Sequence, residues 1–84
     1  MLVTAFVLIQ TEVGRVSEVG EKLSHLPGVE FADEITGPYD VIARVVANDL
    51  TELGNSVTTA IARIPGVTRT LTCPTTKSIK LNVP

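Results

Sequence analysis

Hydrophobic residues run almost without interruption through two stretches of the chain, residues 2–10 and 39–47. In both, each alternating set of positions carries apolar side chains, which is typical of a strand covered on both faces of a sheet. Residues 29–36 and 67–76 alternate between apolar and polar side chains and are predicted to be edge strands. Strict alternation places these odd-numbered residues together on one face of each edge strand: Val29, Phe31, Asp33 and Ile35 in the first, and Val67, Arg69, Leu71 and Cys73 in the second.

Between the predicted strands, apolar residues recur at every third or fourth position, which indicates two amphipathic helices. The apolar stripe of the first helix consists of Val16, Val19, Leu23 and Leu26. The stripe of the second consists of Leu50, Leu53, Val57, Ala60, Ile61 and Ile64. Gly14 is the expected N-cap of the first helix. Asp49 and Glu52 have the spacing of a capping box, in which each side chain bonds the other residue's backbone.

The two halves of the chain repeat each other. Leu26-Pro27-Gly28-Val29 recurs 38 residues further on as Ile64-Pro65-Gly66-Val67, and each Pro-Gly pair is expected to end its helix. Two β-α-β units in series predict an α+β fold of the ferredoxin-like βαββαβ type. This fold is a four-stranded antiparallel sheet with two helices on one face, and its first and third strands are central.

The sheet face without helices is expected to be a dimer interface. It would carry four large apolar side chains, Phe6, Leu8, Ile42 and Val46. Leaving such side chains in water forgoes about 1.5–3 kcal/mol each. We therefore expect two copies to pack sheet to sheet, about 10 Å apart, as a dimeric α/β sandwich.

Length, charge and cysteine content limit the possible functions. The 84 residues predict one domain over residues 1–76 and a tail, 77–84, that could add a short strand. The net charge is −2 and no run of basic residues occurs, so direct nucleic-acid binding is not expected. The apolar start is too short to span a membrane. A single cysteine fits the reducing cytoplasm, and neither a metal nor a cofactor is predicted.

The best candidate site is the turn Gly37-Pro38-Tyr39-Asp40 between the second and third strands. The Asp40 carboxylate can accept hydrogen bonds from an ammonium group, and the backbone around Gly37 can approach a carboxylate. Tyr39 offers an apolar wall with a hydroxyl. This combination suits a free amino acid. The structural alternative is a simple turn pair, with Tyr39 half-buried and Asp40 bonding the local backbone.

Thr70 and Thr72 share one face of the last strand and could present hydroxyls to a polar ligand. The alternative is the ordinary preference of threonine for strands. His25 is the only histidine and is expected at a helix end in a structural or exposed position. Cys73 lacks metal-ligand neighbours in the sequence and is expected to be a buried or partly buried thiol.

Four phrases, in this order and spacing, resemble the ligand-sensing (RAM) domain of the Lrp/AsnC transcription regulators. They are Ala5-Phe6-Val7-Leu8-Ile9, Leu26-Pro27-Gly28-Val29, Thr36-Gly37-Pro38-Tyr39-Asp40, and Ile64-Pro65-Gly66-Val67 followed by Thr70-Leu71-Thr72. The resemblance implies a ferredoxin-like domain that dimerises through its sheets, with dimers that often form octameric rings. It also implies binding of amino-acid-like effectors between dimers, with roles for Gly37, Tyr39 and Asp40, and for Thr70 and Thr72.

Typical members of that family begin with a helix-turn-helix domain, whereas this sequence starts in the first sensing-domain strand. The resemblance therefore extends to stand-alone sensing-domain proteins, which act without direct DNA binding. Such a chain is expected to bind an effector or to co-assemble with full-length Lrp/AsnC regulators.

Two other classes share this topology. Small dimeric α/β-barrel enzymes usually place a His, Asn or Trp in a cavity between helices and sheet, but this chain has no Trp and its one His lies at a predicted helix end. We therefore expect a protein that is not an enzyme. ACT-like regulatory domains also bind amino acids, but they usually carry a glycine signature after the first strand. Residues 11–14 match that signature only loosely.

Overall fold

A computed structural model describes residues 2–77 of the chain. The strands are β1 (Val3–Thr11), β2 (Val29–Glu34), β3 (Val41–Ala47) and β4 (Val67–Pro74). Helix α1 is Val16–Ser24, and helix α2 covers residues 50–62, with a π-helical segment at Leu53–Thr58. The antiparallel sheet has the order β2-β3-β1-β4. The predicted ferredoxin-like architecture and its central first and third strands are confirmed. The predicted extra strand of the tail lies outside the described residues.

The core lies between the two helices and one face of the sheet. Its buried residues come from β1 and β3 and from the helical stripes: Ala5, Val7, Ile9, Val41, Ala43, Val45, Ala47, Val19, Leu23, Leu53, Val57, Ile61 and Ile64. Leu50 was wrongly assigned to the buried stripe, because it is 63% exposed. It is the first residue of α2, and the buried positions of this helix begin one turn later, at Leu53.

The helix starts differ in part from the predictions. The Glu52 backbone N–H donates to Asp49 Oδ1 at 2.7 Å, which confirms Asp49 as an N-cap. The reciprocal half of the capping box is replaced, since Glu52 Oε2 accepts a hydrogen bond from Asn48 Nδ2 at 2.9 Å. Arg15, not Gly14, is the N-cap of α1. Gly14 has φ +81° and turns the chain just before the helix.

Each Pro-Gly-Val phrase is followed by a β-bulge. Between β2 and β3 the register shifts at Glu30, and between β1 and β4 it shifts at Thr68, 38 residues later. A bulge sets two residues against one and reverses the alternation beyond it. The prediction that Val29 shares a face with Phe31, and Val67 with Arg69, was therefore wrong. Val29 and Val67 pack against the core on the helix face, whereas Phe31 and Arg69 lie on the opposite side.

The sheet face opposite the helices, called the open face below, carries a continuous set of apolar side chains. Strand register places on it Phe6, Leu8, Phe31, Ile42, Val46, Leu71 and Cys73, together with the charged residues Asp33, Arg44 and Arg69. The four residues predicted for a dimer interface are thus together on one face. Cys73 is exposed rather than buried, because it pairs with Phe6 across the strands on this uncovered side.

Candidate functional site

The connection 35–40 between β2 and β3 forms a compact loop closed by its own backbone. The Ile35 N–H donates to the Asp40 carbonyl at 2.9 Å, so the two ends of the loop are held together. Gly37 has φ +149°, which L-residues with a side chain rarely adopt. A Cβ at Gly37 would meet no atom within 4 Å, so the backbone of the loop is open to an incoming molecule.

Asp40 fastens this loop to the end of β1. Its backbone N–H donates to the Ile9 carbonyl at 2.9 Å. Its Oδ2 accepts from the Thr11 backbone N–H at 2.8 Å and from Thr11 Oγ1 at 3.3 Å. The structural alternative placed the Asp40 bond in the turn itself, whereas the bonded backbone N–H belongs to Thr11 at the end of β1. Both bonds use one oxygen, and an ionised carboxylate offers about four lone-pair positions.

Gln10 and Thr11 belong to this arrangement, and the sequence analysis did not single them out. Gln10 Nε2 donates to the Pro38 carbonyl at 3.4 Å, beside the Thr11 bonds to Asp40. The predicted strand order could have indicated these two residues. β1 and β3 are antiparallel neighbours, so the first polar residues at the end of β1 must lie beside the start of β3.

The remaining predicted residues are only partly brought together. Tyr39 is half-buried beside Asp40. Thr70 pairs with Ile9 and Thr72 with Val7, so both hydroxyl side chains are half-buried on the helix face of β4. β1 lies between β4 and β3, which separates the two strands by about 10 Å. Thr70 is at the same end of the sheet as Asp40, and Thr72 is further away. Within one subunit, the loop residues and the two threonines therefore do not form a single closed site.

Two grooves within residues 2–77 lie in the helical layer. One, of about 560 Å³, runs between the helices and is lined by Leu26, Ala60, Ile64 and several charged residues. The other, of about 360 Å³, includes Gly28, Ser56 and Val57. Neither is lined by the predicted site residues. His25 is exposed at the rim of the first groove, with Nδ1 2.9 Å from the Glu21 carbonyl oxygen.

Across residues 2–77, no cluster of three potential metal-ligating side chains occurs. In the same part of the chain, no helix has both the length and the hydropathy needed to cross a membrane.

Comparison with known proteins identifies the family. The sequence profile of the Lrp/AsnC ligand binding domain matches residues 4–84. The HTH-type transcriptional regulator FL11 of Pyrococcus horikoshii is 34% identical over 76 residues, which are 90% of this chain and 50% of FL11. The chain thus spans about half the length of this curated relative. A homocitrate synthase of Sulfurisphaera tokodaii matches over 54 residues, only 12% of that enzyme.

Solved structures show the same fold. TTHA0845 from Thermus thermophilus is 39% identical with a TM-score of 0.85, covering 94% of this chain and 99% of that one. The regulator NMB0573 of Neisseria meningitidis, solved as an L-Met complex, is 18% identical with a TM-score of 0.82. The match covers 94% of this chain and 53% of the NMB0573 chain, and at this identity it shows the fold alone. The chain belongs to the Lrp/AsnC family and carries its ligand-binding domain.

Proposed function

We propose that this chain is a non-catalytic regulatory module that binds a small amino-acid-like effector at the loop 37–40. The observation that carries the proposal is the pair of hydrogen bonds from Thr11 to the Asp40 carboxylate. Thr11 engages Oδ2 of Asp40 and so holds the carboxylate in place, leaving Oδ1 to accept from an ammonium group. The open backbone at Gly37 and the half-buried Tyr39 ring supply further contacts for a small polar molecule.

The effector site is completed by a neighbouring subunit. Within one chain, Thr70 and Thr72 lie across β1 from the loop and Gly37 faces open space, so the site has no closing wall. A second molecule beside the loop would supply that wall. The L-Met complex of NMB0573 supports an amino acid as the class of effector for this fold.

The subunit dimerises through the open face, with Phe6, Leu8, Ile42 and Val46 at the interface. Phe6, Phe31 and Leu71 are 36%, 42% and 45% exposed, which is a large apolar area for one small domain to leave in water. Further assembly of dimers into a ring, or with full-length Lrp/AsnC regulators, would bring the loops of different dimers together. Through such assembly, effector binding would regulate transcription.

Calorimetric titration with the twenty amino acids at millimolar concentration tests effector binding. We expect at least one to bind, and Asp40→Asn to weaken it by about tenfold or more, because an amide cannot replace a carboxylate opposite an ammonium group. Glu21→Gln is the matched control, since it removes an exposed carboxylate from α1, away from the loop. Absence of heat with every amino acid, or equal binding by Asp40→Asn, would contradict the proposal.

A further inference from the structure

The apolar open face contains an ion pair near its middle. Arg44 lies on the central strand β3, and its Nε is 3.0 Å from Glu30 Oε1 on β2. Register places Phe31, Arg44, Phe6 and Cys73 in one row across the sheet, so the guanidinium stands between two phenylalanines. Its Cζ is 6.0 Å from the centre of the Phe6 ring. A charge in this position would be surrounded by apolar groups once the face is covered.

The β2 bulge sets Phe31 beside Glu30 against Arg44. Val29 pairs with Val45 and Phe31 with Arg44, so Glu30 and Phe31 both oppose the single residue Arg44. Under regular alternation, the same strand would have sent Phe31 toward the core opposite Ala43. The bulge therefore places a carboxylate and an aromatic ring around the guanidinium at once.

The hydrogen-bonding capacity of Arg44 is not filled within the subunit. Nε is shielded from solvent, and within residues 2–77 no acceptor is aligned with it, because Glu30 Oε1 is close but off the N–H direction. A guanidinium has about five N–H donors, and the Arg44 side chain is still 43% exposed. Covering the open face with an apolar surface would leave Glu30 as the charged partner of a guanidinium whose other donors lose their water, which is unfavourable.

The charges of the open face complement those of a second copy. Arg44 and Arg69 are its basic residues, and Glu30 and Asp33 are its acidic ones. Two such faces packed against each other bring two guanidinium groups and two carboxylates from each subunit into one interface. This inference rests on the open-face dimer proposed above. We propose that Glu30 and Arg44 select the partner, with Arg44 of each subunit accepting only a surface that presents a carboxylate, supplied by the second copy.

A charge-swapped chain, Glu30→Arg/Arg44→Glu, tests this selection. Wild-type and swapped chains, distinguished by mass, are mixed, exchanged and analysed by native mass spectrometry. We expect each chain to pair with itself and mixed dimers to fall well below the statistical half, because a mixed dimer sets like charges against each other. Mixed dimers at the statistical level, with both parent dimers intact, would overturn the inference while leaving the open-face dimer standing.

Single substitutions decide the matter where the swapped chain does not fold. We expect Glu30→Gln to raise the dimer dissociation constant by about tenfold or more, because it strands Arg44 in the interface. Adding Arg44→Met to that variant is expected to restore dimerisation. Glu34→Gln is the control, as it removes a β2 carboxylate paired with Val41 on the helix side. No change with Glu30→Gln would overturn the inference, and sedimentation of the wild type as a monomer would overturn the dimer itself.

Discussion

Gly28 packs directly against Val57: a Cβ built on this glycine would lie 3.0 Å from Val57 Cγ2 and 3.0 Å from the Val46 carbonyl oxygen. The same contact recurs 38 residues along the chain, where a Cβ on Gly66 would lie 3.1 Å from Val19 Cγ2. Val19 and Val57 are themselves equivalent in the repeat. The turn after each helix thus packs against the other helix, and these reciprocal contacts join the two halves.

We predict that Gly28→Ala lowers the free energy of unfolding by about 2 kcal/mol or more, measured by urea denaturation at fixed protein concentration. The φ of +89° disfavours any side chain, and the new methyl would press on a backbone oxygen that cannot move aside. Gly20→Ala is the control. It lies in α1 with nothing within 4 Å of its Cβ, so alanine there should stabilise by about 0.5–1 kcal/mol. Equal effects of the two variants would contradict the packing argument.

Leu53 and Leu50 provide a second contrast within one helix. Leu53 is 3% exposed in the core and Leu50 is 63% exposed. Leu53→Ala should therefore destabilise by about 2–5 kcal/mol, whereas Leu50→Ala should stay within about 0.5 kcal/mol. Thermal unfolding of both variants checks this. A large loss with Leu50→Ala would indicate that a partner molecule covers this residue.

The start of α2 depends on one half of the predicted capping box. Asp49→Ala should cost about 1 kcal/mol, because it removes the acceptor of the Glu52 backbone N–H. Glu52→Gln should have little effect, since its side chain bonds Asn48 and an amide oxygen can accept the same hydrogen bond. Chemical denaturation distinguishes the two. A comparable loss in both variants would contradict a dominant contribution from the Asp49 cap.

Acid should weaken the start of α1 through Glu18. The hydrogen bond from the Arg15 guanidinium holds the pKa of the Glu18 carboxyl below its ordinary value of 4.5. The folded state therefore binds fewer protons than the unfolded state in this range. The stabilisation is complete above about pH 4.5 and is lost as the pH falls through the lowered pKa. Glu18→Gln should flatten this part of the stability-pH curve, and an unchanged slope in that variant would contradict the role of Glu18.

The pattern of apolar and polar residues was sufficient to predict most of the fold. The helical stripes, the two apolar strands and the repeated Pro-Gly phrase all indicate the same order of strands and helices. The pattern failed at Glu30 and Thr68. A bulge depends on how two strands pair, and neither residue type signals one. The error then propagated, since one extra residue moves Phe31 and Arg69 to the other face. The exposure of Cys73 was missed for a related reason, as it depends on which sheet face stays uncovered.

The candidate site, too, was predicted from the sequence only in part. The Gly37-Pro38-Tyr39-Asp40 turn was identified from residue type, because glycine permits positive φ and proline fixes its own φ locally. The role of Thr11 as the partner of Asp40 came only from the folded chain, since 29 residues separate the two.

By itself, the sequence determined the order of elements, the core and the position of the loop, because periodicity and turn chemistry act over a few residues. The tertiary structure alone decided which charges meet and where the two edge strands bulge. Glu30 and Phe31 both oppose Arg44 only because β2 pairs with β3 and bulges, and such contacts between distant residues depend on strand register rather than on local preference.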